Sequence, residues 1–344
     1  MMQNDNSRQW AVLAPFVPGE VLTAQAQQIE SLGMAGIQAF QVWAAPWPTL
    51  AHCAAVTERV QLASAVANGL TRSPFETALT AIDIDRLSGG RFTLGLGPSI
   101  RAWTEGFYGC AYDDPIPRLR EAIEVIRLVI AKGHTGELTK FEGKYHKHDW
   151  SALLATLAPP LRTEIPIWLG VTQMSMVRLA GEVASGLFSH PIWSVEWILK
   201  TAMPTLNEAL AKAGKDRADF HWNAWFWTAI NNDRDEAIND AKATLAFYAG
   251  MKQYEPFFAA HGFQQEARAC QAAQEAKDMV AWVGAMTDEM VQTFIMAGTP
   301  DEIRKRVEQV SDVVDSFALV APLAGLETDK LLFYIGTIAE TFYS

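Results

Sequence analysis

Arg101, Glu105, His52 and His190 stand near the C-terminal ends of segments that read as strands, where a side chain can reach a bound molecule. A carboxylate or an imidazole so placed can carry a proton, and a guanidinium can hold an anion. Glu105 is the first candidate acid or base, Arg101 the candidate anion or phosphate partner, and His190 a further candidate. The four-residue spacing of Arg101 and Glu105 equally suits an ion pair on one helical turn. His146 and His148 alternate, which puts both on one face of an extended segment with Asp149 beside them. Two histidines in a Lys-containing loop are more often exposed polar residues than ligands, so no metal is expected. Asp83, Asp85, Arg86 and Arg91 read as an ion-pair network at a helix end. Their loop enters a strand, and in a parallel barrel that end serves stability.

Gly95-Leu96-Gly97-Pro98-Ser99 follows a predicted strand and begins like a dinucleotide-binding turn. Ile100 takes the place of the third glycine, and no βαβ unit with a ribose-binding acid follows. A P-loop signature and a nucleophile elbow are both missing from the sequence. The chain has 12 tryptophans. Trp43, Trp47, Trp103, Trp193 and Trp227 fall near predicted strand ends, where they would make an aromatic, apolar mouth. The first four are the candidate substrate pocket. Such a mouth suits a planar ring or an apolar substrate, although core packing is the ordinary fate of a tryptophan.

Elements that would position these groups alternate along the chain. Eight short β-rich runs, approximately Ala11–Pro15, Gly36–Trp43, Val60–Val66, Arg91–Gly97, Ile165–Val171, Gly186–His190, His221–Ile230 and Ser316–Ala321, are separated by amphipathic stretches. The predicted helices include Glu20–Leu32, Pro74–Leu87, Pro117–Lys132, Gln173–Val183, Val195–Ala213, Asp233–Tyr248 and Pro300–Val310. Ser73-Pro74 and Thr299-Pro300-Asp301-Glu302 are helix starts, and Ser88-Gly89-Gly90 is a helix stop. The pattern predicts an α/β protein, a single (β/α)8 TIM barrel spanning residues 1–344, with insertions at about 134–164 and 250–298. Long insertions in a compact fold are more often lids or interfaces than filler.

Composition narrows the partners. A formal net charge of −11 gives no basic surface for nucleic acid. No run reaches the roughly 18 apolar residues of a membrane span, and the first ten residues lack a secretory core. Cys53, Cys110 and Cys270 lie far apart, as packing thiols of a reducing compartment do, so a cytoplasmic location is expected.

Ser73 through Gly97 reads SPFETALTAIDIDRLSGGRFTLGLG, which resembles the signature helix and strand of luciferase-like oxidoreductases. The likeness continues in Arg118–Glu121, FEGKYH (Phe141–His146), PIWLG (Pro166–Gly170), LAGEVASGLFSHP (Leu179–Pro191) and AGTPDEI (Ala297–Ile303). It is strongest for the branch that uses the deazaflavin coenzyme F-420. The resemblance implies a (β/α)8 barrel whose cofactor ring rests on a bulge after the third strand, often with a non-prolyl cis peptide. The matching residues are Ser64, Ala65 and Val66, with Asn68 beyond them and Gly97 on the next strand. It also implies a phosphate end at Gly170, Val171, Thr172, Gln173 and His190, and backbone N–H groups at a helix start near Gln173 would suit an anion.

Sugar-phosphate dehydrogenases of that branch carry an Asp-His pair after the second strand and a glutamate after the fourth. Ala44-Ala45 and Ile100 stand near those places, so a different reaction is expected. The expectation is hydride transfer between reduced deazaflavin and a small organic substrate, in an enzyme that forms a homodimer. Reduced FMN with oxygen, in a monooxygenase, is the alternative, and a catalytically inactive flavin-binding barrel is a second.

Overall fold

In a computed structural model of the chain, residues 6–13, 17–42, 44–153 and 155–343 are described. They fall into two compact units, one of residues 7–189 and 204–223, the other of residues 190–203 and 224–343 with Asn6.

The first unit is built on parallel strands. In chain order these are β1 (Trp10–Leu13), β2 (Gly36–Ala39), β3 (Gln61–Ser64), β4 (Phe92–Gly97), β5 (Ile167–Val171), β6 (Gly186–Ser189) and the start of β7 (His221–Ile230), each paired with the next. All six residues of β4 are buried, as expected of a parallel strand covered on both faces. Helices supply that cover. Pro115–Lys132 turns Leu119, Ala122, Ile123, Val125, Ile126, Val129 and Ile130 inward, an apolar stripe at helical spacing. Between β2 and β7 the interior holds an amide pair, with Gln38 Nε2 donating to Asn223 Oδ1 at 2.9 Å. Both residues are buried, and the bond offsets the cost of taking them out of water.

In the second unit the rest of β7 pairs with β8 (Met296–Gly298) and with β9 (Ser316–Val320). Four short helices, Glu255–Ala260, Gln264–Glu275, Met279–Gly284 and Asp288–Phe294, occupy the expected insertion. The start signal at Thr299 is realised as a capping box with Glu302, and Pro300 opens the helix Pro300–Glu308.

The alternation of parallel strands and helices is the α/β, (β/α)8 class read from the sequence. Boundaries differ. β2 ends at Ala39, short of the expected Trp43, and Ala14 and Pro15 of the expected first strand lie outside the described residues. β8 lies within what reads as insertion, since three residues are too few to show alternation. The helix Pro46–Val56 is absent from the predicted helices because Pro46 and Pro48 read as loop, yet both sit in its first turn, where no N–H is missed. The expected 134–164 insertion carries an antiparallel hairpin, Lys140–Glu142 with Lys147–Asp149.

The expected four-residue ion network is corrected. Only Asp83 and Arg86 pair with each other, at 3.0 Å. Asp85, 1% exposed, pairs instead with Arg162 at 2.6 Å. Arg91 donates to the carbonyls of Ala54, Thr57, Val60 and Ser88, because its fork reaches unsatisfied chain ends before any carboxylate.

Candidate active site

At the C-terminal end of β3 the ladder slips. Ala63 faces Thr93 on β4, but Ala67 faces Leu96, so the β3 side has one residue more than its partner between the two pairs. This is a β-bulge. Ser64 Oγ donates to the Gly95 carbonyl and accepts from the Gly95 N–H, both at 2.9 Å, and pins the start of the bulge to β4. A Cβ at residue 95 would lie 1.7 Å from the Ser64 carbonyl oxygen, so this approach needs glycine. The Ala65-Val66 peptide is cis.

Val66 then projects between two neighbouring strands. A Cβ at Gly97 would stand 2.9 Å from Val66 Cγ2, and one at Gly170 would stand 2.9 Å from Cγ1. Ala65 and Ala67 are buried whereas Val66 is half-buried, which leaves an apolar knob at the strand ends. Next to Gly170, β5 ends at Val171 and the chain passes through Thr172 and Gln173 into the helix Met174–Val183. The Gln173 side chain makes no capping bond to this helix. The Met176 N–H donates to the Gln173 carbonyl at 2.9 Å, and the start of the helix carries the partial positive charge that draws an anion.

Three polar residues surround the far side of the bulge. Gln41 donates its backbone N–H to the Val66 carbonyl at 3.2 Å and accepts the Asn68 N–H on Oε1 at 2.9 Å. Its Nε2 donates to the Tyr108 hydroxyl at 3.0 Å. Asn68 Nδ2 reaches the buried Thr104 hydroxyl at 3.3 Å. Gln41, Thr104 and Tyr108 are not among the residues singled out from the sequence. A single Gln or Thr in a loop carries no motif, and their partners lie 27 to 67 positions away.

Ser64, Ala65, Val66, Asn68, Gly97, Gly170, Val171, Thr172 and Gln173 thus lie at the C-terminal ends of β3, β4 and β5. Arg101 and Glu105 lie on the short helix Arg101–Gly106 and pair with each other at 2.5 Å, both exposed. Arg101 also lies over the Tyr112 ring, 5.3 Å from its centre. Trp103 is half-buried and stacks on Phe107. Trp47 is buried under the Arg72 guanidinium, while Trp43 lies outside the described residues. His52 sits within the helix Pro46–Val56 and bonds to Thr23. His146 and His148 do face the same way, in a stack that runs on to Trp150, and among the described residues no group of three is arranged to hold a metal ion.

In the second unit, His190 lies between Tyr248 and Tyr254. The Ile192 N–H points to Nδ1 at 3.4 Å, so Nε2 carries the proton and donates to the Tyr254 hydroxyl at 3.1 Å. Burial pushes the His190 pKa down to about 3, which leaves a neutral imidazole at neutral pH. Trp193 is 1% exposed. Trp227 donates to Tyr248, whose pKa burial raises.

The strand order and the bulged strand end define the class, an α/β protein of the (β/α)8 type. The chain belongs to the luciferase-like monooxygenase family, which it matches over residues 7–316, and it is an oxidoreductase. It is 29% identical over 288 residues to a 5,10-methylenetetrahydromethanopterin reductase of Archaeoglobus fulgidus, covering 81% of this chain and 82% of that protein. The coenzyme F-420 dependent tetrahydromethanopterin reductase of Methanopyrus kandleri has the same fold, with a TM-score of 0.80 at 23% identity over 96% of this chain and 97% of that one. So does an F-420-dependent secondary alcohol dehydrogenase solved with an F-420-acetone adduct, at 0.72 and 16% over 97% and 98% of the two chains.

Proposed function

We propose that the protein uses coenzyme F-420, a deazaflavin, to exchange hydride with a small organic substrate. Val66 carries the reading: an apolar knob fixed between two glycines, beside a helix start that the Gln173 side chain does not cap. That pairing suits a planar ring with an anionic tail. Two solved structures of the same fold carry that cofactor in their names. When bound, the deazaflavin would supply the hydride chemistry at a ring carbon.

The chain's own residues do the rest. Ser64, Ala65 and Val66 set the plane on which the ring lies, while Asn68, Gly97 and Gly170 hold that support in shape. Val171, Thr172 and Gln173 lead the amides of the helix start toward the phosphate. Trp103, half-buried and stacked on Phe107, supplies aromatic surface that keeps water from an apolar substrate. Glu105 moves the proton, and Arg101, paired with it, is the partner for an anionic or phosphate group. Glu105→Gln is expected to lower turnover tenfold or more without changing cofactor affinity, and an unchanged rate would reduce the pair to surface electrostatics.

The family to which the chain belongs favours one second reading, a reduced-FMN monooxygenase. Titration of the purified protein with F-420 and with FMN, oxidised and reduced, followed by tryptophan fluorescence, separates the two. Binding of F-420 alone, with no oxygen uptake during turnover, is expected. Preference for reduced FMN with oxygen uptake would overturn the proposal. The protein acts as a cytoplasmic homodimer, and light scattering at the mass of one 38.0 kDa chain would refute the dimer.

A further inference from the structure

We infer that Gln41 is a positioning residue that ties the bulge under the cofactor ring to the loop carrying Tyr108. The inference rests on the reading of Ala65–Asn68 as the ring's support. Gln41 follows β2 and meets the bulge twice, through its backbone at the Val66 carbonyl and through Oε1 at the Asn68 N–H. The two contacts flank Ala67, so the chain leaving Val66 is held on its C-terminal side, while the Ser64 bonds to Gly95 hold the other side.

The direction of the remaining bonds follows from the first. A backbone N–H only donates, so the amide oxygen of Gln41 must face Asn68 and its NH2 must face away. That NH2 donates to the Tyr108 hydroxyl at 3.0 Å, and the hydroxyl's own hydrogen turns to the Val42 carbonyl at 3.4 Å. A second tie runs in parallel, from Asn68 Nδ2 to Thr104. Tyr108 is 37% exposed and Phe107 is 65% exposed, so this loop puts aromatic surface on the rim beside the knob. One planar side chain with an acceptor at one edge and a donor at the other joins rim and support. Leu or Met of similar length would do neither.

The test combines oxidised F-420 binding, followed by tryptophan fluorescence, with hydrogen–deuterium exchange of residues 64–70 and 101–112. Gln41→Met is expected to weaken F-420 binding about tenfold and to speed exchange in both segments. Gln41→Glu restores slow exchange in both, because a carboxylate accepts from Asn68 N–H and from the Tyr108 hydroxyl turned round. Tyr108→Phe loosens only residues 101–112 and leaves F-420 affinity within about threefold. Wild-type exchange in the Gln41→Met variant, or equal loosening in the Glu and Met variants, would overturn the inference. Failure of the wild-type protein to bind F-420 would instead overturn the cofactor reading, and the exchange arm would still decide whether Gln41 joins the two segments. Melting curves for all variants identify any that fail to fold, and Tyr108→Phe, which removes one exposed hydroxyl, keeps the test open in that case.

Discussion

Val66 can stand where it does only because residues 97 and 170 have no side chains. A β-branched residue offers no flexible tip that could yield, so Gly97→Ala or Gly170→Ala must push the bulge or a neighbouring strand. Either substitution is expected to cost about 1–3 kcal/mol in urea unfolding, as overpacking does. Adding Val66→Ala to Gly97→Ala should recover part of it, whereas simple additivity of the two costs would show that the contact is not the cause. His190 makes a different kind of prediction. Burial lowers its pKa from 6.5 to about 3, so the unfolded chain takes up this proton first as pH falls. Its stabilising contribution is complete above 6.5 and is lost from there toward 3, with a slope of up to roughly 1.4 kcal/mol per pH unit. His190→Gln should flatten the acid limb of the stability curve between about pH 6 and 4; an identical limb would mean that water reaches the ring.

Among the elements, the helix Pro74–Leu87 shows how a long connection is tied to the sheet. Asp85 near its end is buried, and Arg162, at the close of the 134–164 connection, pairs with it and donates to the Phe92 carbonyl at 2.5 Å. Arg162→Ala would strand a carboxylate in the interior. It is expected to cost about 3 kcal/mol in thermal or urea unfolding, as removal of one partner of a buried pair does. A cost near zero would mean that solvent reaches Asp85. This tie was invisible in the sequence because the two residues are 77 positions apart and Asp85 has nearer cations in Arg86 and Arg91. The helix starts at Pro74 and Pro300 and the stop at Ser88 were legible, since their signals are local. β8 and the helix Pro46–Val56 were not. The first needs only three residues paired to β7, and the second hides behind two prolines.

At the scale of the whole molecule, fold class and family were legible because alternation and a signature segment repeat their message along most of the chain. The bulge was legible only because the resemblance carried residue numbers, Ser64 through Val66. The Gln41 tie exists solely in three dimensions. The net charge of −11 acts over the same scale. An anionic cofactor approaches a protein of its own sign, so the association rate of F-420 should rise severalfold as ionic strength goes from about 0.02 to 0.2 M. A rate that falls with salt would point to a local positive funnel strong enough to outweigh the whole. The crowding of Val66 against Gly97 and Gly170 has a historical side as well. The three positions are coupled in the order of their changes: an alanine at 97 or 170 is expected to cost less once residue 66 has become smaller, and a return to valine at 66 to cost more once that alanine is in place.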